Sequence, residues 1–209
     1  MNFYDLAAGR RSIRKFENTE IPDSDIDYFI KCAVTAPSGC NSQCWQFVAV
    51  KDRETISEIS VAAEEAVDDF YTNYADDNYI SGKKKAVTYF KNAPLIIAVF
   101  MSELVFYDSK TTDIYAKKGY SHEKMMRDLA FPDVLSIGAA VQNLLLAVHE
   151  KGYGAVWMND PAIAGVNINK LLDIPDENRF MSIIPIGLSA YSPRNKQMKD
   201  KDEVFKLIK

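Results

Sequence analysis

Residues 134–148 read Val-Leu-Ser-Ile-Gly-Ala-Ala-Val-Gln-Asn-Leu-Leu-Leu-Ala-Val, a helical run that is apolar on nearly every side. A helix without a wet face cannot lie on a surface, so it belongs in a core or between subunits. Gly138, Ala139 and Ala140 are small enough to let another helix approach closely. The 209 residues have room for one sizeable domain, expected to run over 1–209. No window approaches the roughly 18 uncharged apolar residues that suggest a membrane span. The first residues reach Arg10-Arg11 without the apolar core of a signal peptide, so a cytoplasmic location is the expectation.

Around this helix the pattern is mixed. Ile26, Phe29, Ile30, Ala33 and Val34 fall at helical spacing, started by Pro22-Asp23-Ser24 and stopped by Ala36-Pro37. Ile56, Ile59, Ala63, Val67, Phe70 and Tyr74 repeat the pattern in a longer helix with an acidic face. Short runs rich in Val, Ile and Phe at 46–50, 95–101, 155–158 and 181–188 read as strands. Helices separate them irregularly, so the class is mixed α and β. Strict βαβ alternation and a G-x-G-x-x-G loop are both absent, which argues against a dinucleotide-binding Rossmann fold. Residues 106–132 read worst as regular structure. They mix Phe106, Tyr107, Tyr115, Tyr120 and Phe131 with charges and Gly119, as either a substrate-facing lid or a surface loop. Residues 189–209 form a basic C-terminal tail.

A net charge of -4 argues against a general nucleic-acid binder, whose affinity rests on excess Lys and Arg. The three cysteines, Cys32, Cys40 and Cys44, form no disulfide framework, because their count is odd and cytosolic thiols stay reduced. Cys40 and Cys44 stand at i, i+4, but neither His122 nor His149 is near them in sequence, so no metal site is expected.

Three segments carry chemistry. In Arg10-Arg11-Ser12-Ile13-Arg14-Lys15, three arginines and a lysine repel one another unless an anion sits among them. Guanidinium forks and a Ser hydroxyl suit phosphate oxygens, although a solvated basic turn would read the same way. In Ala36-Pro37-Ser38-Gly39-Cys40-Asn41-Ser42-Gln43-Cys44-Trp45, small polar residues turn from a helix into a strand. Ser38, Asn41 and Gln43 offer donors and acceptors suited to the edge of a flat heterocycle, or simply to the local backbone. The third segment is Gly152-Tyr153-Gly154-Ala155-Val156-Trp157-Met158-Asn159, followed later by Ile184-Pro185-Ile186-Gly187 and Ser192-Pro193-Arg194-Asn195-Lys196.

Taken together and in order, these motifs resemble the nitroreductase family over essentially the whole chain. The pattern comprises R-R-S-x-R-x-F, the A-P-S-x-x-N-x-Q turn before Trp45, G-A-A-x-Q-N-L-L-L-A, G-x-G-x-x-W, I-P-I-G and a basic C-terminal clamp. The resemblance implies an α+β fold, a central mixed but mainly antiparallel sheet flanked by helices. It also implies an intertwined homodimer with two FMN sites, each built from both chains. By matching position, Arg10, Arg11, Ser12 and Arg14 hold the FMN phosphate and ribityl chain, and Arg194 and Lys196 close on the same phosphate. Pro37, Ser38, Gly39 and Asn41 reach the ring from the partner, with Gln43 supporting the turn and the Trp157-Met158-Asn159 backbone beside the ring. Helix 138–146 becomes the dimer core. Three positions depart from the pattern: Cys44 replaces a Pro and brings a thiol in or near the site, Asn159 stands where many relatives have Gly, and Ser136 replaces a frequent Asp.

The activity so implied is NAD(P)H-dependent reduction of nitroaromatics, quinones or similar flat electron-poor acceptors. Donor and acceptor use one slot in turn, a ping-pong order. The cofactor performs the chemistry, so no dedicated acid, base or nucleophile is expected. His122 and His149 then read as a lid residue and a helix-surface residue, and Tyr115, Tyr120 and Phe131 as lid contacts or packing. The rival is a flavin-binding or redox-sensing module with little turnover, in which Cys40 and Cys44 respond to redox state. An anion-binding domain without flavin is the third reading.

Overall fold

The computed structural model describes residues 2–102 and 109–209. In chain order the elements begin with helices α1 (Phe3–Gly9) and α2 (Asp23–Ala33), strand β1 (Trp45–Val50), and helices α3 (Arg53–Tyr71) and α4 (Asp77–Val87). Strand β2 (Leu95–Met101) follows, then helices α5 (Ser109–Lys117), α6 (His122–Asp128) and α7 (Pro132–Glu150). The chain ends with strand β3 (Gly154–Ala155), helix α8 (Gly165–Leu171), strand β4 (Arg179–Gly187) and helix α9 (Lys201–Val204). The strands form one sheet in the order β1-β2-β4-β3, with every neighbouring pair antiparallel. Among the described residues, parallel pairing is confined to a single bridge between Ser12 and Ala155.

Strand β2 is central and buried on both faces, which is why it reads as an unbroken apolar run. Its side chains alternate between two cores, as the period of two requires. Ile96, Ala98 and Phe100 pack with Ile56, Ile59, Ala63 and Val67 of α3. Leu95, Ile97 and Val99 pack with Phe29 and Ala33 of α2 and Ile137, Val141 and Leu144 of α7. Helix α3 is capped by Asp52, whose carboxylate accepts from the Thr55 amide at 2.7 Å. It ends at Tyr71, short of the Tyr74 its periodicity suggests, because Asn73 turns left-handed at φ 74°. The strand expected over 155–158 also shortens: β3 ends at Ala155, and Met158 pairs separately with Ile183.

The largest departure lies in 106–132. Phe106, Tyr107 and Asp108 fall outside the described residues, but from Ser109 onward the segment is mostly helical rather than irregular. Helix α5 buries no side chain and α6 buries only Met125 and Met126, so neither carries the apolar stripe that sequence periodicity detects. Ser121 starts α6 by accepting from the Lys124 amide at 3.1 Å. Among the described residues no single helix is long and apolar enough to cross a membrane.

Candidate functional site

Helix α1 ends at Gly9 with Arg10 as its cap, and the next residues add themselves to the sheet edge. The Ile13 amide donates to the Ala155 carbonyl at 2.9 Å, so Ser12 and Ile13 run alongside β3. The same segment is bound on its other side by the chain leaving β4: Glu17 N–H donates to the Leu188 carbonyl at 2.9 Å and Ala190 N–H to the Lys15 carbonyl at 3.1 Å. Close contact with β3 depends on Gly154, where a Cβ would stand 2.5 Å from Ile13 Cγ1. Residues from the two ends of the chain thereby meet.

They surround a cavity of about 520 Å³ whose lining includes Arg10, Arg11, Ser12, Arg14, Arg194 and Lys196. Five cationic side chains around one hollow repel one another, an arrangement an anion relieves. Arg10 Nε is buried without a hydrogen-bond partner, an orphaned charged donor at this wall. Arg11 differs from its neighbours. Its Nη1 lies 2.6, 3.0 and 3.0 Å from the carbonyl oxygens of Ala8, Gly9 and Arg10, and its Nε donates to the Arg194 carbonyl at 3.2 Å. Tyr191, which the sequence did not single out, puts its hydroxyl between the Arg14 amide (3.4 Å) and the Ser12 carbonyl (3.5 Å).

His149 is not the plain helix-surface residue that was expected. It is half-buried, and its Nε2 lies so close to Gly9 that a Cβ there would meet it at 2.9 Å. Burial, then the charges of Arg10 and Arg11, hold its pKa below the ordinary imidazole value.

The polar turn sits elsewhere. Cys40, Asn41 and Gln43 adopt φ of 51°, 55° and 46°, left-handed values unusual for residues with a Cβ. Local bonds hold them there: Gln43 N–H donates to Ser38 Oγ at 3.0 Å, and Gly39 N–H donates to Ser136 Oγ at 3.1 Å. Ser136 Oγ itself donates to the Pro132 carbonyl at 2.6 Å, so the residue that replaces Asp anchors the turn to α7. Pro37, Asn41 and Gln43 are exposed, and Ser38 and Gly39 half-buried. The Cys44 thiol does not line this surface. It is 1% exposed, lies 3.9 Å from the Asp133 carbonyl, and is pushed up in pKa chiefly by burial. Cys40 is the exposed thiol of the pair.

On the third segment, Trp157 is partly exposed and Met158 buried. Met158 spends both backbone groups on Ile183, at 3.0 and 2.9 Å, and the Asn159 carbonyl accepts from the Ala162 amide at 2.9 Å. Asn159 has φ -95° and ψ -21°, a conformation any residue adopts, so the substitution of Gly costs nothing here.

The turn and the basic cavity lie at opposite ends of α7. Ser136 marks one and His149 the other, a separation of roughly 20 Å at 1.5 Å per residue. Between them α7 leaves uncovered a stripe that is apolar except at exposed Gln142. Phe131 and Leu135 are 39% and 62% exposed, followed at helical spacing by half-buried Gly138, Ala139 and Leu146.

The model of the nitroreductase family matches residues 7–188. An iodotyrosine deiodinase of Thermotoga neapolitana is 30% identical over 191 residues, which cover 88% of this chain and 87% of that protein. Among solved structures, a BluB-like flavoprotein from Clostridium difficile 630 superposes over the whole of both chains with a TM-score of 0.86 and 25% identity. An oxidized iodotyrosine deiodinase bound to FMN and 3-iodo-L-tyrosine superposes with a TM-score of 0.63 and 28% identity, over 95% of this chain and 97% of that one.

Proposed function

Because the chain belongs to the nitroreductase family, we propose that it is an FMN-dependent oxidoreductase, active as a homodimer, that reduces flat electron-poor aromatic compounds at the expense of NAD(P)H. The observation that carries this reading is the cavity in which Arg10, Ser12 and Arg14 meet Arg194 and Lys196, with Arg10 Nε buried and unpartnered. That donor set fits a phosphate monoester: charged forks, a hydroxyl and a short reach.

The turn anchored at Ser136 and the cavity near the far end of α7 are separated by roughly 20 Å along the helix, and this separation supports a site shared between two chains. Two copies packed antiparallel along the uncovered stripe of α7 bring the turn of each chain to the cavity of the other. Ser38, Gly39 and Asn41 of the second copy then face the ring edge, and Gln43 supports the turn. Trp157 and the main chain at Asn159 flank the ring from the first.

Bound FMN would supply hydride acceptance and donation, chemistry no side chain of this site provides. The chain's part is to bind and orient. Arg10, Ser12, Arg14, Arg194 and Lys196 hold the phosphate end, while the strained turn presents fixed donors and acceptors to the polar ring edge. The slot over the ring takes the nicotinamide and the acceptor in turn. Steady-state kinetics with NADH or NADPH and a nitroaromatic test this order: parallel double-reciprocal lines are expected, and intersecting lines contradict it. A second reading, reductive removal of halide from a halogenated phenol, is favoured by the 30% identity to the Thermotoga neapolitana deiodinase. Iodide released from 3-iodo-L-tyrosine by the reduced protein, with no turnover of nitroaromatics, would select it.

A further inference from the structure

We propose that Arg11 is a positioning residue, not a phosphate ligand: it is the tether that holds the C-terminal arm, and with it Arg194 and Lys196, over the anion cavity. The inference rests on the FMN reading above for its consequence, but its geometry is independent of it. Residues 192–209 are exposed throughout. Beyond Tyr191, the hydrogen bond from Arg11 Nε to the Arg194 carbonyl is the one that joins the arm to the body of the protein among the described residues. The remaining hydrogen bonds of the arm, such as those between Asp200 and Glu203, stay inside it.

The opposite side of the same guanidinium is fixed by the end of α1. Its Nη1 faces the carbonyls of Ala8, Gly9 and Arg10, three of the orphan acceptors a helix C-terminus leaves. Arg11 is therefore a bracket: one edge closes α1, and the other catches the arm at the backbone of the residue whose side chain lines the cavity. The planar fork suits this task and a lysine does not, since one ammonium cannot satisfy carbonyls in two directions at fixed geometry. Arg10, by contrast, has a buried Nε with no protein acceptor. Adjacent arginines thus divide the work: Arg10 lines the cavity without a protein acceptor for its Nε, and Arg11 holds the clamp.

Arg11→Lys tests this, because it keeps the charge and removes the fork. In the apoprotein, trypsin is expected to cut at Lys196, Lys199 and Lys201 several-fold faster in Arg11→Lys than in the parent. Arg194→Ala should leave cleavage at those sites at the parental rate, because the bond goes to the backbone carbonyl of Arg194. In FMN titrations Arg11→Lys should weaken binding about tenfold, and leave riboflavin, which lacks the phosphate, unaffected. In an Arg194→Ala/Lys196→Ala background the same change should then add almost nothing, since the clamp it positions is already gone. Unchanged cleavage of the arm, or an Arg11→Lys loss that adds fully to that of the double variant, overturns the proposal. The cleavage assay uses no flavin, so a protein that binds none would refute the cofactor reading while leaving the tether measurable.

Discussion

Gly154→Ala places one methyl group where the architecture of the cavity is most sensitive. A Cβ at that position stands 2.5, 2.7 and 3.0 Å from Ile13 Cγ1, Cβ and Cγ2, distances at which something must shift. Gly154 is buried in β3 and Ile13 is 4% exposed, so neither has solvent to move into. Relief means lifting residues 12–14 away from β3, at the expense of the Ile13–Ala155 hydrogen bond. Overpacking of this kind costs about 1–3 kcal/mol. At roughly 2–4 °C of Tm per kcal/mol for a chain of this size, the Tm of the apoprotein should fall by about 2–12 °C. Because Ser12 and Arg14 flank the displaced residue, FMN affinity should fall about tenfold or more, the loss of one charge-assisted hydrogen bond. Differential scanning fluorimetry and a fluorescence titration read the two effects on one preparation. Gly82→Ala is the control. It lies in α4 with nothing within 4 Å of the added methyl, so it should raise Tm slightly and leave FMN binding unchanged. Parental Tm and FMN affinity in Gly154→Ala would refute the idea that close strand packing builds the cavity.

Other perturbations separate the remaining parts of the account. Leu135→Lys on the uncovered stripe should give a monomer by light scattering and lose flavin with the same concentration dependence; a flavin-loaded monomer contradicts the two-chain site. The pKa of His149 is depressed in the fold, so its contribution is complete above the unfolded value near 6.5 and is lost as pH falls through the lower folded value. Apoprotein stability measured by urea unfolding should therefore drop on acidification below about pH 6.5, and His149→Gln should flatten that limb. Alkylation followed by mass spectrometry should modify exposed Cys40 rapidly and buried Cys44 only on unfolding; equal rates would contradict the burial that raises the Cys44 thiol pKa.

How far the sequence could be read depended on what each residue buries. Strand β2 and helices α2, α3 and α7 were legible because a strand with two buried faces, and helices with an apolar stripe or no wet face, leave a periodic imprint. Helices α1 and α5 bury no side chain and α4 buries only Val87, so their sequences carry no stripe to detect. At the site, the grouping of Arg10, Ser12, Arg14, Arg194 and Lys196 was visible only through the order of motifs, since their meeting depends on pairing between residues 12–17 and the chain around β3 and β4. The role of Arg11 was not legible, because a guanidinium suited to phosphate is equally suited to carbonyl oxygens. Tyr191 comes to the cavity through contacts with Ser12 and Arg14, and His149 packs behind it against Gly9, tertiary contacts that no local pattern announces. Of Cys40 and Cys44 the sequence allows one partly buried and one lining thiol without saying which is which. The expectation of a Cys44 thiol in or near the site gives way to a side chain that points into the core.

The central claim is a flavin phosphate held by one chain and a ring held by the turn of another. Equilibrium titration of the apoprotein with FMN and with riboflavin, with the mass of the complex measured in the same samples, tests it most directly. The account predicts one FMN per chain in a particle of two chains, with riboflavin bound much more weakly. No flavin binding, equal affinity for the two flavins, or FMN bound by a single chain would contradict it.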